Sequence, residues 1–121
     1  MGRLWHALHV ALSGVEEGGE APACWVVWTS PGARLASMSQ AQFTHPPELV
    51  GEIAAWLAQV DFEAALRDLT AARELGVFVY ALGPQGPSAL ESAELRALFE
   101  ATARFYTAAA SGLEAIEVVR C

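Results

Sequence analysis

Val77-Phe78-Val79-Tyr80-Ala81-Leu82 is the stretch on which the fold turns. It is a continuous apolar run, set between Gly76 and the turn-rich Gly83-Pro84-Gln85-Gly86-Pro87. A β-prone run with no polar residue marking an outer face suits a strand covered on both sides. Cys24-Trp25-Val26-Val27-Trp28-Thr29 has the same character and stops at Ser30-Pro31-Gly32. Ala115 to Arg120 reads as the last strand, and Ala41 to Thr44 as a brief additional one.

The segments between these runs have helical spacing. In residues 3–12, Leu4, Trp5, Leu8 and Leu12 share one face, and Ser13-Gly14 closes the helix. His45-Pro46-Pro47 opens a second helix, because proline tolerates a first turn that leaves its N–H unused. Leu49, Val50, Ile53, Leu57 and Val60 form its stripe, with Trp56 beside them. Asp61 caps a third helix, in which Phe62, Leu66 and Leu69 face inward, Glu63 pairs with Arg67, and Gly76 is the left-handed stop. Ser88 and Glu91 make a capping box for a long helix carrying Leu95, Leu98, Phe99, Phe105 and Tyr106, with Leu98 in the core. Strands alternating with helices predict an α/β fold bordering on α+β. The expectation is a single compact domain over residues 1–121, with a mixed sheet of three to four strands and helices packed on it.

Composition narrows the function. The 121 residues are 54% hydrophobic and 17% charged, against roughly 25% charged in an ordinary domain. That surplus supports a real core and opposes disorder. Seven basic residues against 14 acidic ones give a net charge of −7, which disfavours nucleic acid and anionic membrane surfaces as partners. Every basic residue is arginine, so lysine Schiff-base chemistry and a P-loop lysine are excluded. The alanine- and arginine-rich, lysine-free usage resembles the coding bias of a GC-rich bacterial genome. Cys24 and Cys121 lie far apart and outside any metal or redox spacing, which implies two reduced thiols. The apolar stretch from Leu4 to Leu12 is broken by His6 and His9, so it does not read as a signal peptide. His6 likewise stands where a myristoylation motif needs Ser or Thr. With no apolar run near the ~18 residues that span a bilayer, the expectation is a soluble, cytoplasmic protein.

Taken in order, several motifs resemble those of the YfbM-like family of uncharacterised bacterial proteins. Trp5-His6-Ala7-Leu8-His9 followed by Ser13-Gly14 is similar to its "W-D-x-L-H … T-G" segment. The helix Val50-Gly51-Glu52-Ile53-Ala54-Ala55-Trp56-Leu57, entered after Pro46-Pro47-Glu48, resembles "T-P-E-E-V-x-E-I-A-x-x-L". Phe105-Tyr106 and the closing Glu114-Ala115-Ile116-Glu117-Val118-Val119 resemble "F-Y-x-x-A … A-V-L-V". The resemblance implies a compact α/β domain with a mixed sheet and no established biochemical role. His6 replaces the usual Asp, Gln42-Phe43 stands near a common Arg-Tyr pair, and the segment ahead of the Trp motif is almost absent. The chain is thus read as an N-terminally shortened member.

No constellation carries a recognised chemistry. His6 and His9 are three apart on a helix, a spacing that could grip one metal if Cys24 or His45 supplied a third ligand. The plainer reading places His9 at the edge of the apolar stripe and His6 in solvent, with no metal and no cofactor. Cys24 at a strand start is a small hydrophobe before it is a nucleophile. The serines lack a nucleophile elbow, and the glutamate pairs fall on solvated surfaces, so no catalytic residue is assigned. Trp5 and Trp56 are the tryptophans not centred in a buried element, and an exposed Trp beside acidic surface suits a protein-binding patch. The residues therefore favour a non-enzymatic interaction domain with an acidic surface, acting on a protein partner or by homo-oligomerisation. Its tentative binding residues are Trp5, His6, His9, His45 and Trp56. The alternative is a small-molecule or metal site, possibly enzymatic, around His6, His9, His45 and Cys24.

Overall fold

Four helices carry most of the described residues: α1 (Trp5–Ser13), α2 (Pro47–Leu57), α3 (Phe62–Glu74) and α4 (Ala89–Ser111). The computed structural model describes residues 4–15, 21–23, 26, 34–35, 42–80, 82 and 87–119. Three short strands, β1 (Arg34–Leu35), β2 (Gln42–His45) and β3 (Ile116–Val119), pair in the order β1-β2-β3. Both ladders are antiparallel, with Arg34 opposite Thr44 in one and Gln42 opposite Val119 in the other.

This corrects the expected mixed α/β sheet: the described residues are mainly helical, and the small sheet among them contains no parallel pair. One predicted strand, Val77–Leu82, accounts for part of the difference, and another, Cys24–Thr29, lies almost wholly outside the described residues. Of Cys24–Thr29 only Val26 lies within the described residues, and it sits in a bend, fully buried. Within Val77–Leu82 no described residue is in a strand. That stretch follows a helix stop in which Gly76 N–H donates to the Arg73 carbonyl and Val77 N–H to the Ala72 carbonyl, both at 3.0 Å. Gly76 holds φ 88° there, the left-handed conformation that such a stop requires. Apolar runs alone do not separate a buried strand from an irregular segment laid over helices.

The helix ends follow local chemistry. Asp61 accepts from Ala64 N–H at 3.2 Å and caps α3. Ser88 Oγ accepts from Glu91 N–H at 3.1 Å while Glu91 returns a carboxylate oxygen to Ser88 N–H at 3.0 Å, the reciprocal box that starts α4. Pro47 opens α2. At the other end of α4 the left-handed residue is Leu113, at φ 54°, while Gly112 sits at φ −88°.

One hydrophobic cluster joins the helices and β3. α2 and α3 contribute Val50, Ile53, Leu57, Phe62, Leu66 and Leu69 to it, and β3 contributes Ile116 and Val118. Along α4 the buried stripe is Leu95, Phe99, Thr102, Tyr106 and Ala109. Phe99 stacks on Phe62 with centroids 4.4 Å apart. Leu98 is half-buried on the flank of that stripe, not in the core, and Phe105 points outward. Tyr106 donates its hydroxyl to the buried Val26 carbonyl at 2.8 Å, tying α4 to the segment after α1. Glu63 makes its hydrogen-bonded pair with Arg96 of α4, and Arg67 adds only a weaker attraction. The Glu63 carboxylate takes the Arg96 guanidinium in two bonds of 2.7 and 3.1 Å. That hydrogen bonding holds the Glu63 carboxyl below its usual range.

α1 departs most from its sequence reading. Rather than one buried stripe, it buries His6, Ala7, Leu8, His9, Val10 and Ala11 in succession, packed against α3 and α4. No charged residue occurs from Leu4 to Val15, and a helix without a charged face is an interior helix.

Candidate functional site

The N-terminal turn of α1 and the segment after α3 together build an aromatic face. His6 is only 6% exposed, not solvated, and its ring lies parallel to that of His9 one turn on, 13° apart in plane with centroids at 6.3 Å. Trp5, half-buried, sets its ring 5.4 Å from His6 and 6.3 Å from Tyr80. Phe78 lies 6.2 Å from His6. Phe78 and Tyr80 are 60% and 50% exposed, while Val79 between them is fully buried. The segment alternates out, in, out, as a strand would, but with α1 as its support.

The support includes a directed bond. Tyr80 N–H donates to His6 Nδ1 at 2.9 Å. A backbone N–H can only donate, so Nδ1 must present a lone pair, and the proton of the neutral imidazole sits on Nε2. In this arrangement His6 offers no free lone pair to a metal. Among the described residues, no group of three His, Cys, Asp or Glu side chains is placed to hold a metal ion.

The structure thus brings Trp5, His6 and His9 together. His45 is fully buried at the end of β2, opposite Ile116 in the sheet. Trp56 lines a separate depression with Ala11 and Leu12. Those residues belong to the far end of α1, about 10 Å along the axis from Trp5. Cys24 lies outside the described residues. Phe78 and Tyr80 were hidden from sequence reasoning because their run reads as a covered strand. The available signal was the alternation of valine with aromatic residues across 77–80. Beside Phe78, a shallow depression of about 370 Å³ is walled by Arg73, Val77 and Leu82. Arg73 turns its guanidinium toward the Val77 carbonyl at 3.5 Å.

The sequence model of one family, described as Domain of unknown function (DUF1877), matches residues 1–117. The chain belongs to that family. No curated protein and no solved structure is significantly similar to it. No described helix is long and apolar enough to cross a membrane.

Proposed function

We propose that the chain is a non-enzymatic docking domain whose aromatic face, Trp5, Phe78 and Tyr80, receives a basic protein partner. The observation that carries this reading is the exposure of two adjacent aromatic rings on backbone pinned by the Tyr80–His6 bond. Exposed aromatics held in place lose little freedom on binding and are the side chains on which interfaces concentrate their energy. The net charge of −7 selects the partner: it repels a second copy and draws a cationic surface, whose arginine and lysine groups also favour aromatic faces. The motifs around Trp5, Pro46-Pro47 and Phe105-Tyr106 support a YfbM-like, bacterial setting, and the wide, unpaired cysteine spacing a cytoplasmic one. A metal site at His6 is disfavoured by the tautomer that Tyr80 imposes.

The test is titration of a fluorescent arginine- and lysine-rich peptide against the wild-type chain and Phe78→Ser/Tyr80→Ser, at rising ionic strength. Binding should weaken at least tenfold in the variant and fall steeply with salt. Equal binding by both proteins, or indifference to salt up to ~0.5 M, overturns the reading. A homodimer that the same two substitutions dissolve would assign the face to a second copy instead.

A further inference from the structure

Away from the aromatic face, a groove of about 350 Å³ lies where the last turns of α1 and α2 meet the first turns of α3. Its lining includes Ala11, Ala64 and Ala65, whose short side chains leave room for a guest. Trp56 is one wall, half-buried. Asp61 and Asp68 also line it, seven apart and hence on one face of α3, and both are exposed.

The groove's electrostatics are mainly negative, the positive pole at the start of α3 being met by the Asp61 cap. The C-terminal ends of α1 and α2 carry the negative poles of their helices, and neither has a basic residue in its last turn to offset it. Asp61 uses one carboxylate oxygen, Oδ1, to cap α3 through the Ala64 N–H. The indole of Trp56 adds the negative face of a π system.

We infer that this groove is a receptor for a single cationic side chain, arginine or lysine, presented by a protein partner. It rests on the reading of the chain as a docking domain for a basic protein, but uses a surface that the aromatic face does not share. The aliphatic stem lies over the alanine floor, the charged head sits between Asp61 and Asp68, and Trp56 covers one side.

The probe is the peptide acetyl-Gly-Arg-Gly-amide, titrated into isotopically labelled protein and followed by amide and indole NMR shifts. Saturable shifts are expected at the Trp56 indole N–H and at the Ala64 and Ala65 amides. Asp68→Asn should weaken binding at least fivefold. Asp61→Asn/Asp68→Asn should nearly abolish it, with the α3 cap preserved because asparagine caps as well as aspartate. The same peptide with neutral citrulline in place of arginine should leave the spectrum unchanged. Binding of the citrulline peptide, no shift at Trp56, or an Asp68→Asn titration equal to wild type overturns the inference. Shifts that move to Trp5 and Tyr80 and vanish in Phe78→Ser/Tyr80→Ser would remove the groove while leaving the aromatic face standing. Failure of that double variant to alter the basic-peptide affinity, with the groove shifts intact, would do the reverse.

Discussion

Replacing Tyr106 by phenylalanine deletes one oxygen from the centre of the molecule. The ring is almost fully buried and stays, so apolar burial is unchanged and the loss is confined to the 2.8 Å bond to the Val26 carbonyl. A net hydrogen bond contributes about 1 kcal/mol, and a buried carbonyl left without its donor raises the cost to roughly 1–3 kcal/mol. Urea unfolding at pH 7 should show that loss, with a melting temperature lower by about 4 °C per kcal/mol. The pH dependence makes the test sharper. Burial pushes the Tyr106 phenol well above its ordinary value of 10, so the folded chain keeps a proton that the unfolded chain gives up. The stability linked to that proton is whole below pH 10 and is lost as pH rises beyond it, at up to about 1.4 kcal/mol per pH unit. Tyr106→Phe has no such proton to keep. Its deficit against wild type should therefore shrink between pH 10 and 11, and with no lysine in the chain no ammonium group titrates across that window. A deficit that stays constant from pH 8 to 11, or one below ~0.5 kcal/mol at pH 7, would refute the buried hydrogen bond.

Leu95→Ala should cost about 2–5 kcal/mol in urea unfolding, and Leu98→Ala clearly less, because only Leu95 is enclosed in the core. Leu113→Gly should stabilise by about 1 kcal/mol, since Leu113 holds a left-handed conformation at 80% exposure and loses little packing when truncated. Ser88→Ala should cost about 1 kcal/mol and fray the first turn of α4, visible as faster amide exchange at Glu91. His6→Leu keeps the bulk but removes the acceptor, so Tyr80 amide protection should fall about tenfold, ~1.4 kcal/mol, by hydrogen exchange.

The parts of this fold legible in the sequence are those whose chemistry is local. The Ser88–Glu91 box, the Asp61 cap, Pro47 and the Gly76 stop all concern groups within a few residues of one another, and each stands where the spacing puts it. The illegible parts depend on partners far along the chain. Glu63 finds Arg67 four residues away by sequence rules, but the structure gives it Arg96 on another helix, with two bonds in place of one contact. Leu113 rather than Gly112 takes the left-handed turn, which no glycine rule would anticipate. The run 77–82 has the composition of a strand, yet the Tyr80 N–H is met by an imidazole on α1, seventy-four residues away in sequence. Composition reports how apolar a segment is and not which donor or acceptor lies across from it.

That same bond explains why the aromatic face merits more weight than other exposed apolar side chains. Leu75, Leu90, Phe105 and Leu113 are also exposed, but isolated apolar residues are ordinary on protein surfaces. Phe78 and Tyr80 differ because each ring touches another across the gap to α1, through His6 and Trp5 respectively. Val79 between them is locked in the core and the Tyr80 N–H is held by His6. A sequence reading of His6 and His9 as metal ligands and the structural reading of them as buried supports use the same spacing. What separates the two is the direction of one proton: Tyr80 donates it, so the imidazole on α1 is committed to holding the backbone between two outward-facing rings.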